Sequence, residues 1–229
     1  MSLPTALSER TLATLSSALG LETAEDLALT SAMSPEPVGR LRVLRGAPIE
    51  KAVTVDLVVP QIGLDSHMIF AFTGSDSAVP HFTLDSVKAP EYHAMHLDLI
   101  PRADLAINLA YLDAVFLPLT PLLEDAWQLE GVAPAAIGPR QRAMMSPWMV
   151  VCRATEDAFR ALDSTVDDYL AHWLTLVDKG VPAVEADLAA RDRANRANLF
   201  SPEVDPVWAQ VTRLLGAEQA ERVRGELLA

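Results

Sequence analysis

The sequence predicts an α/β protein, a single three-layer α/β/α sandwich whose central sheet is mainly antiparallel. Two observations support this. Stretches with strand alternation follow one another over residues 41–102 with short connections, a pattern typical of a meander of four or five strands. Stretches with helical spacing precede and follow them, so helices are expected on both faces of the sheet. We expect residues 1–229 to form one domain.

The chain begins with a predicted helix over residues 5–17, where leucines recur at helical spacing. Thr5 or Ser8 is the expected N-cap, and Gly20 the expected end. A second short helix is predicted over residues 24–32, and it is expected to end there because the sequence SPEP that follows breaks the pattern.

Strands are predicted next. Residues 41–44 and 51–59 have strand character, and the near-continuous apolar run at 67–72 fits a central strand covered on both faces. The second half is mostly helical. Its predicted elements are a helical stretch at 105–130, a short edge strand at 147–153, a helix capped by Thr155, and helices at 183–199 and 204–228.

A hairpin is predicted within residues 79–102, VPHFTLDSVKAPEYHAMHLDLIPR, around its Ala-Pro turn. If Lys88 and Glu91 close the turn, the cross-strand pairs are His81 with Asp98, Thr83 with His96, and Asp85 with Ala94. Side chains alternate between faces along a strand, so this register gathers the titratable groups on one face. We expect that face to form the floor of a polar pocket.

Composition excludes several classes of function. A formal charge of −13 disfavours binding to nucleic acid or to an anionic membrane surface. No apolar run approaches the roughly 20 residues that span a bilayer, and no signal peptide is evident. Cys152 is the only cysteine, which favours a reducing compartment. We therefore expect a soluble cytoplasmic protein, either a monomer or a homodimer.

Motifs for several enzyme classes are missing from the sequence. There is no GxSxG elbow, Walker A loop, GxGxxG fingerprint or CxxC pair. His81, Asp85, His96 and Asp98 could form a two-histidine, carboxylate metal site of the non-haem iron type, although nothing in their spacing demands a metal. The alternative for His96 and Asp98, which we favour, is that they satisfy a polar sheet face. His81 and Asp85 are better placed for chemistry, as a hydrogen-bonded pair in which the carboxyl group can donate a proton.

The helix predicted at 183–199 places polar residues on its inward face. Asp192 and Asn195 fall on the stripe that should be apolar. A buried carboxylate without partners costs several kcal/mol, so Asp192 must face a partner, a ligand or water. Arg191, Arg193 and Arg196 are candidate partners, which leaves a structural ion pair and a site residue as alternatives.

Several of these pieces, in their order along the chain, resemble one family. The PHFTLD segment at 80–85, the strand HLDLIPR, the segment RQRAMMSPW at 140–148 and the helical RDRANR are similar to segments of the ferredoxin-dependent bilin reductases. The resemblance covers roughly residues 40–225. The HLDLIPR run is more similar to the red chlorophyll catabolite reductase branch.

The resemblance implies an α/β/α sandwich that reduces an open-chain tetrapyrrole lying between the sheet and the C-terminal helices. It also implies single electrons from a reduced iron–sulfur ferredoxin, protons from pocket carboxylates and a histidine, and no bound flavin or metal. Asp85 falls on the proton-donating aspartate, which the chlorophyll-catabolite branch replaces with glutamate, and Asp192 on the carboxylate of the C-terminal helix. His81 would tune or share the proton. The expected substrate-binding residues are Arg140, Arg142, Ser146, Asn195, Arg196 and Thr54.

Two features depart from the family pattern. Thr54 stands where some bilin reductases carry a catalytic histidine. The acidic total disfavours docking of an acidic ferredoxin unless cations gather locally. The candidates for such a basic patch are Arg40, Arg42, Arg45, Lys51 and Lys88.

The leading hypothesis is therefore a ferredoxin-dependent tetrapyrrole reductase. The alternatives are a tetrapyrrole carrier without redox activity and, third, a metal oxygenase using His81, Asp85 and His96.

Overall fold

A computed structural model describes residues 1–229. It confirms the predicted fold class: one antiparallel sheet of eight strands, in the order β1-β2-β3-β4-β5-β6-β8-β7, lies between two helical layers. The strands are β1 (Glu22–Ser31), β2 (Ser34–Gly46), β3 (Ile49–Val59), β4 (Leu64–Phe72), β5 (His81–Lys88), β6 (His93–Ile100), β7 (Val132–Pro134) and β8 (Val150–Ala154).

Nine helices surround the sheet. They are α1 (Leu3–Leu19), α2 (Leu109–Val115), α3 (Thr120–Gln128), α4 (Pro139–Arg142), α5 (Glu156–Ala161), α6 (Asp163–Lys179), α7 (Leu188–Leu199), α8 (Val207–Leu215) and α9 (Ala217–Leu228). None of them is long and apolar enough to cross a membrane.

Each face of the sheet has its own apolar core. On one face, α1, α2, α3, α5 and α6 bury residues such as Phe82 and Trp173 against the strands. On the other face, α7, α8 and α9 pack over residues such as Phe70 and Phe72. Because successive side chains point to opposite faces, a residue's position along its strand decides which core it enters.

The helix predicted at 24–32 is wrong, because this stretch forms the edge strand β1. Its residues pair with β2 from Glu22 to Ser31, and most of their side chains are exposed. Pairing with the neighbouring strand along the whole stretch overrides the local helix propensity of its Ala, Glu and Leu residues. The meander is consequently longer than expected, with six consecutive strands.

The predicted hairpin exists, but its register is shifted by two residues. Lys88 pairs with His93 across a four-residue turn, instead of closing a two-residue turn with Glu91. The observed pairs are therefore His81 with Ile100, Thr83 with Asp98, and Asp85 with His96. A shift by two keeps every side chain on its predicted face, so the polar grouping on one face survives the error.

The strand predicted at 147–153 is not at the edge of the sheet. It forms β8, which lies between β6 and the three-residue strand β7. β7 carried no strand signal, since it is very short and ends in proline.

Several helix boundaries differ from the predictions. Ser2, not Thr5 or Ser8, caps α1, and the helix ends at Gly20 in the left-handed conformation as expected. α7 begins only at Leu188, where the Asp187 side chain accepts a hydrogen bond from the Ala190 backbone. Thr155 caps α5 as predicted.

Candidate functional site

An apolar cavity of about 280 Å³ lies between the sheet and the C-terminal helices. Strands β3, β4, β5 and β6 form its floor, and α4, α7, α8 and α9 contribute its other walls. Its apolar lining consists of Val55, Leu57, Met68, Phe70, Val87, Met145, Leu199, Phe200, Val207, Trp208, Val211 and Val223. The polar lining is confined to Ser66, Thr83, Asp85, His96, Gln141 and Asp205.

Asp85 and His96 form the titratable pair of this cavity. They lie opposite each other on β5 and β6, and His96 Nδ1 is 3.3 Å from Asp85 Oδ2. The Asp85 side chain keeps 37% of its surface exposed, whereas His96 is mostly covered. The cavity therefore presents a hydrogen-bonded acid–base pair against largely apolar walls, an arrangement typical of sites that bind and protonate small organic molecules.

His81 and Asp192 lie outside this cavity, in a closed ionic cluster on the same face of the sheet. His81 Nε2 donates to Asp192 Oδ1 at 2.8 Å, while His81 Nδ1 accepts the backbone N–H of Thr73 at 3.1 Å. Two guanidinium groups complete the cluster: Arg102 Nη1 is 3.3 Å, and Arg196 Nε 2.9 Å, from the Asp192 carboxylate.

Electrostatics fix the protonation states in this cluster. Burial, with the nearby charges of Arg102 and Arg196, lowers the pKa of His81 to about 3 despite its hydrogen bond to Asp192. Burial would raise the pKa of Asp192, but the hydrogen bond from His81 and the two guanidiniums outweigh it and lower the pKa to about 2. At neutral pH His81 is therefore neutral and Asp192 ionised, so neither is ready to give up a proton.

Aromatic rings separate the ionic cluster from the cavity. Phe70 lines the cavity and also packs edge-on against His81, with ring centroids 6.0 Å apart. Phe72 packs on His81 on the cluster side and carries the Arg196 guanidinium 4.1 Å from its centroid. His81 and Asp85 are four residues apart on one strand, which separates their Cα atoms by roughly 13 Å.

The other predicted site residues are distributed as follows. Ser146 is buried and bound to Asp98, donating from its hydroxyl at 2.5 Å and its backbone N–H at 2.9 Å. Arg196 is occupied by Asp192 and by Glu50, whose Oε2 is 2.8 Å from Nη2. Thr54 is buried opposite Ile69, on the far face of the sheet from the cavity.

Three residues remain exposed or half-exposed. Arg140 and Arg142 lie on α4, on either side of Gln141, which lines the cavity. Asn195 is half-buried on α7 but does not line the cavity. The structure thus brings His81, Asp192 and Arg196 together in one cluster, places Asp85 in a separate cavity, and leaves the two arginines of α4 near the cavity wall.

The basic patch considered for a ferredoxin does not form as expected. Arg40 is paired with Asp26, and Arg42 with Asp56. Lys51 is buried, with its ammonium group bonded to the Glu226 carbonyl oxygen. Arg40, Arg45 and Lys88 are exposed, but Arg40 is already engaged by Asp26, and Arg45 and Lys88 lie on different strands. No group of three or more His, Cys, Asp or Glu side chains is arranged to hold a metal ion, and His81 lies roughly 13 Å along the strand from Asp85, so the structure does not bring His81, Asp85 and His96 together as a shared metal site.

Two features of the site went unrecognised in the sequence. The first is Arg102, which follows the HLDLIP strand, is 2% exposed and pairs with Asp192. The sequence pointed only to Arg191, Arg193 and Arg196 as partners for Asp192, because they lie on the same predicted helix. Asp205 and Gln141 form a hydrogen bond of 3.2 Å at the cavity wall, between residues 64 positions apart that carry no common motif.

Comparisons with known proteins bear on the fold. No family model matches the chain, and no curated protein matches it in sequence. The crystal structure of tomato phytochromobilin synthase in complex with biliverdin superposes with a TM-score of 0.74, covering 96% of this chain and 80% of that chain. The two chains share a fold. Their sequence identity is 18%, so the likeness establishes architecture and leaves the chemistry to be argued from the residues.

Proposed function

We propose that this protein binds an open-chain tetrapyrrole in the cavity between the sheet and α7–α9 and reduces it. The observation that carries the proposal is the Asp85–His96 pair, which stands on the floor of an apolar cavity in a chain that shares its fold with a biliverdin-binding synthase. Flat conjugated pigments suit such walls, because apolar and aromatic side chains bury their faces while a few polar groups orient them. The sequence resemblance to bilin reductases, and to the chlorophyll-catabolite branch, favours the same substrate class.

The reaction adds two electrons and two protons across one double bond of the pigment. In this proposal reduced iron–sulfur ferredoxin supplies the electrons singly, and Asp85 takes part in protonation. Asp192 and His81 act at a distance from the pigment, by holding β5 against α7 through their 2.8 Å hydrogen bond. Their ionisation states at neutral pH support this orienting role over direct proton donation.

Pigment entry requires the cavity to widen. A volume of about 280 Å³ lies just below the range of about 300–1,000 Å³ for small-molecule sites. The segment 201–206 between α7 and α8 is held to α4 by the Gln141–Asp205 hydrogen bond and by a 3.5 Å contact from Arg140 to the Glu203 carbonyl oxygen. These are exposed or half-exposed contacts, so we propose that this segment moves outward to admit the pigment, next to Arg140 and Arg142.

A tetrapyrrole carrier without redox activity is the second candidate. It is favoured by the pairing of Arg40 and Arg42 with aspartates and by the burial of Lys51, which leave no concentrated basic surface there for an acidic ferredoxin.

One experiment separates the two candidates. The purified protein is loaded with biliverdin, and in parallel with an opened chlorophyll catabolite, and mixed anaerobically with chemically reduced [2Fe–2S] ferredoxin. A reductase shifts or bleaches the visible band of the bound pigment over time, with catalytic turnover of added pigment. A bound band that stays constant while ferredoxin remains reduced rejects the reductase and favours the carrier.

A further inference from the structure

His96 has one ring nitrogen engaged and the other free. Nδ1 faces Asp85 Oδ2 at 3.3 Å, while Nε2 is buried and has no hydrogen-bond partner in the protein. Buried polar atoms are nearly always partnered, so an orphaned imidazole nitrogen on a residue that lines a cavity indicates where a ligand atom would bind.

Carboxylates surround this imidazole. Asp85 approaches from β5, Asp98 lies two residues along β6, and Asp205 faces it from the segment between α7 and α8. The neighbouring strand β8 carries a cation, Arg153, whose guanidinium carbon stacks on Tyr92 at 4.4 Å from the ring centroid. Burial disfavours the charged imidazole, but the hydrogen bond to Asp85 and the charges of the three carboxylates outweigh it and raise the pKa of His96.

Resting on the proposed function, we propose that His96 is a further catalytic residue: its Nε2–H binds an acceptor atom of the pigment and donates one of the two protons of the reduction. When the first electron enters the conjugated system, the pigment becomes a more basic radical anion. The Nε2 proton then passes to the pigment, which becomes a neutral radical. The imidazole is left neutral, with its Nδ1–H still hydrogen-bonded to the Asp85 carboxylate. The second electron comes from a second reduced ferredoxin and the second proton from solvent, through the exposed part of Asp85.

The same pair also specifies what the pigment must present. An imidazolium Nε2 can only donate, and the remaining oxygen of Asp85 can only accept while the carboxylate is ionised. Together they match an edge on which an acceptor lies beside an N–H, such as the lactam of an end ring. This assigns His96 the proton role that the sequence favoured for His81, which is fully committed to Asp192 and Thr73.

The test compares the wild-type protein with His96→Gln and with the control His93→Gln. Glutamine keeps a hydrogen-bond donor but cannot carry the transferable proton. His93 lies on the same strand, packed against Phe159 on the opposite face of the sheet, so its variant controls for loss of a β6 histidine. Each protein is titrated with biliverdin and then reduced anaerobically with ferredoxin across a pH series.

We expect His96→Gln to bind biliverdin within about threefold of wild type and to turn over about a hundredfold or more slowly. Electron paramagnetic resonance should show that its unprotonated pigment radical persists, and the basic limb of the wild-type pH profile should disappear. His93→Gln should keep the wild-type profile. Wild-type turnover and pH profile in His96→Gln would overturn this role while leaving the reductase proposal intact.

A second measurement does not depend on a variant. In wild-type protein with ¹⁵N-labelled histidine, Nε2 of His96 should be protonated at neutral pH, and its resonance should move when biliverdin binds while that of His93 does not. An unprotonated or unresponsive Nε2 overturns the assignment. Failure of the wild-type protein to bind or to reduce biliverdin and the opened catabolite rejects the proposed function itself, and the proton role with it.

Discussion

His81 on β5 donates a 2.8 Å hydrogen bond to Asp192 on α7, and Phe70 lies between this pair and the cavity that Asp85 lines. Asp85 and Asp192 therefore lie on the same side of the sheet but not in the same cavity. Asp85 forms an acid–base pair with His96 at the cavity, whereas Asp192 belongs to the closed ionic cluster. This division predicts different consequences for the two substitutions.

Asp192→Asn should chiefly destabilise the fold. Removing the carboxylate leaves the guanidiniums of Arg102 and Arg196 facing each other in a buried site, and breaking such a cluster costs about 3–5 kcal/mol. Urea denaturation should show this loss in the free energy of unfolding. Glu221→Gln is the control: its ion pair with Arg224 is at the surface, so stability should change by less than about 1 kcal/mol. Equal stability of Asp192→Asn and wild type would contradict the structural role.

Asp85→Asn should leave pigment binding nearly unchanged and remove turnover. The amide fits the same half-exposed position, but it cannot hold a carboxylate charge beside the His96 imidazole. Turnover should fall by about a hundredfold or more, in line with loss of a general acid–base group. Single-turnover absorbance with reduced ferredoxin measures this, and normal turnover in the variant would show that the role assigned to Asp85 is wrong.

His67 should make stability depend on pH on the alkaline side. His67 lies on β4, and each of its ring nitrogens contacts a carboxylate: Nδ1 is 3.0 Å from Asp56 on β3, and Nε2 is 2.6 Å from Asp65 on the same strand. Burial disfavours the charged ring, but these hydrogen bonds and charges raise the pKa of His67 above its usual 6.5. The folded state therefore binds the proton more tightly than the unfolded state does.

The stabilisation from His67 is fully present below about pH 6.5, the pKa of the unfolded side chain, and is lost as pH rises through the folded pKa. Unfolding free energies measured from pH 6 to 9 should fall for wild type. His67→Gln should flatten part of this fall, and His96, whose pKa is also raised, contributes to the slope that is left. Identical pH slopes for wild type and His67→Gln would contradict the assignment.

Filling the cavity should block the pigment without unfolding the protein. Ser66 lines the cavity from β4, and an aromatic side chain is well tolerated on a strand. Ser66→Phe should therefore keep its thermal transition and lose the affinity for biliverdin. Val58→Phe is the matched control, since Val58 lies on the adjacent β3 with its side chain exposed and away from the cavity. Retained binding in Ser66→Phe would mean that the pigment, if bound, lies elsewhere.

The sequence predicted the fold well where hydrophobic pattern decides the structure. Strand alternation identified β3 to β6. The inward position of Asp192 on its helix predicted a partner, a ligand or water for this carboxylate, and the structure shows that it is buried and paired with Arg196 and Arg102. The grouping of His81, Asp85 and His96 on one face was also predictable, because a register error of two residues preserves faces.

What the sequence could not provide were contacts between distant segments. β1 was predicted as a helix because its pairing with β2, and not its own residues, determines its conformation. The ion pair between Asp192 and Arg102 joins residues that lie 90 positions apart in the sequence. The separation of Asp85 from Asp192 depends on where the Phe70 ring packs, which no spacing rule encodes.

Binding of biliverdin to the wild-type protein, followed by visible absorbance alongside Ser66→Phe and Val58→Phe, tests the central claim most directly. The account predicts a saturable shift of the pigment band at one pigment per chain for wild type and Val58→Phe, and none for Ser66→Phe. The same shift in all three proteins, or a shift in none of them with biliverdin or an opened chlorophyll catabolite, would contradict a tetrapyrrole site in this cavity.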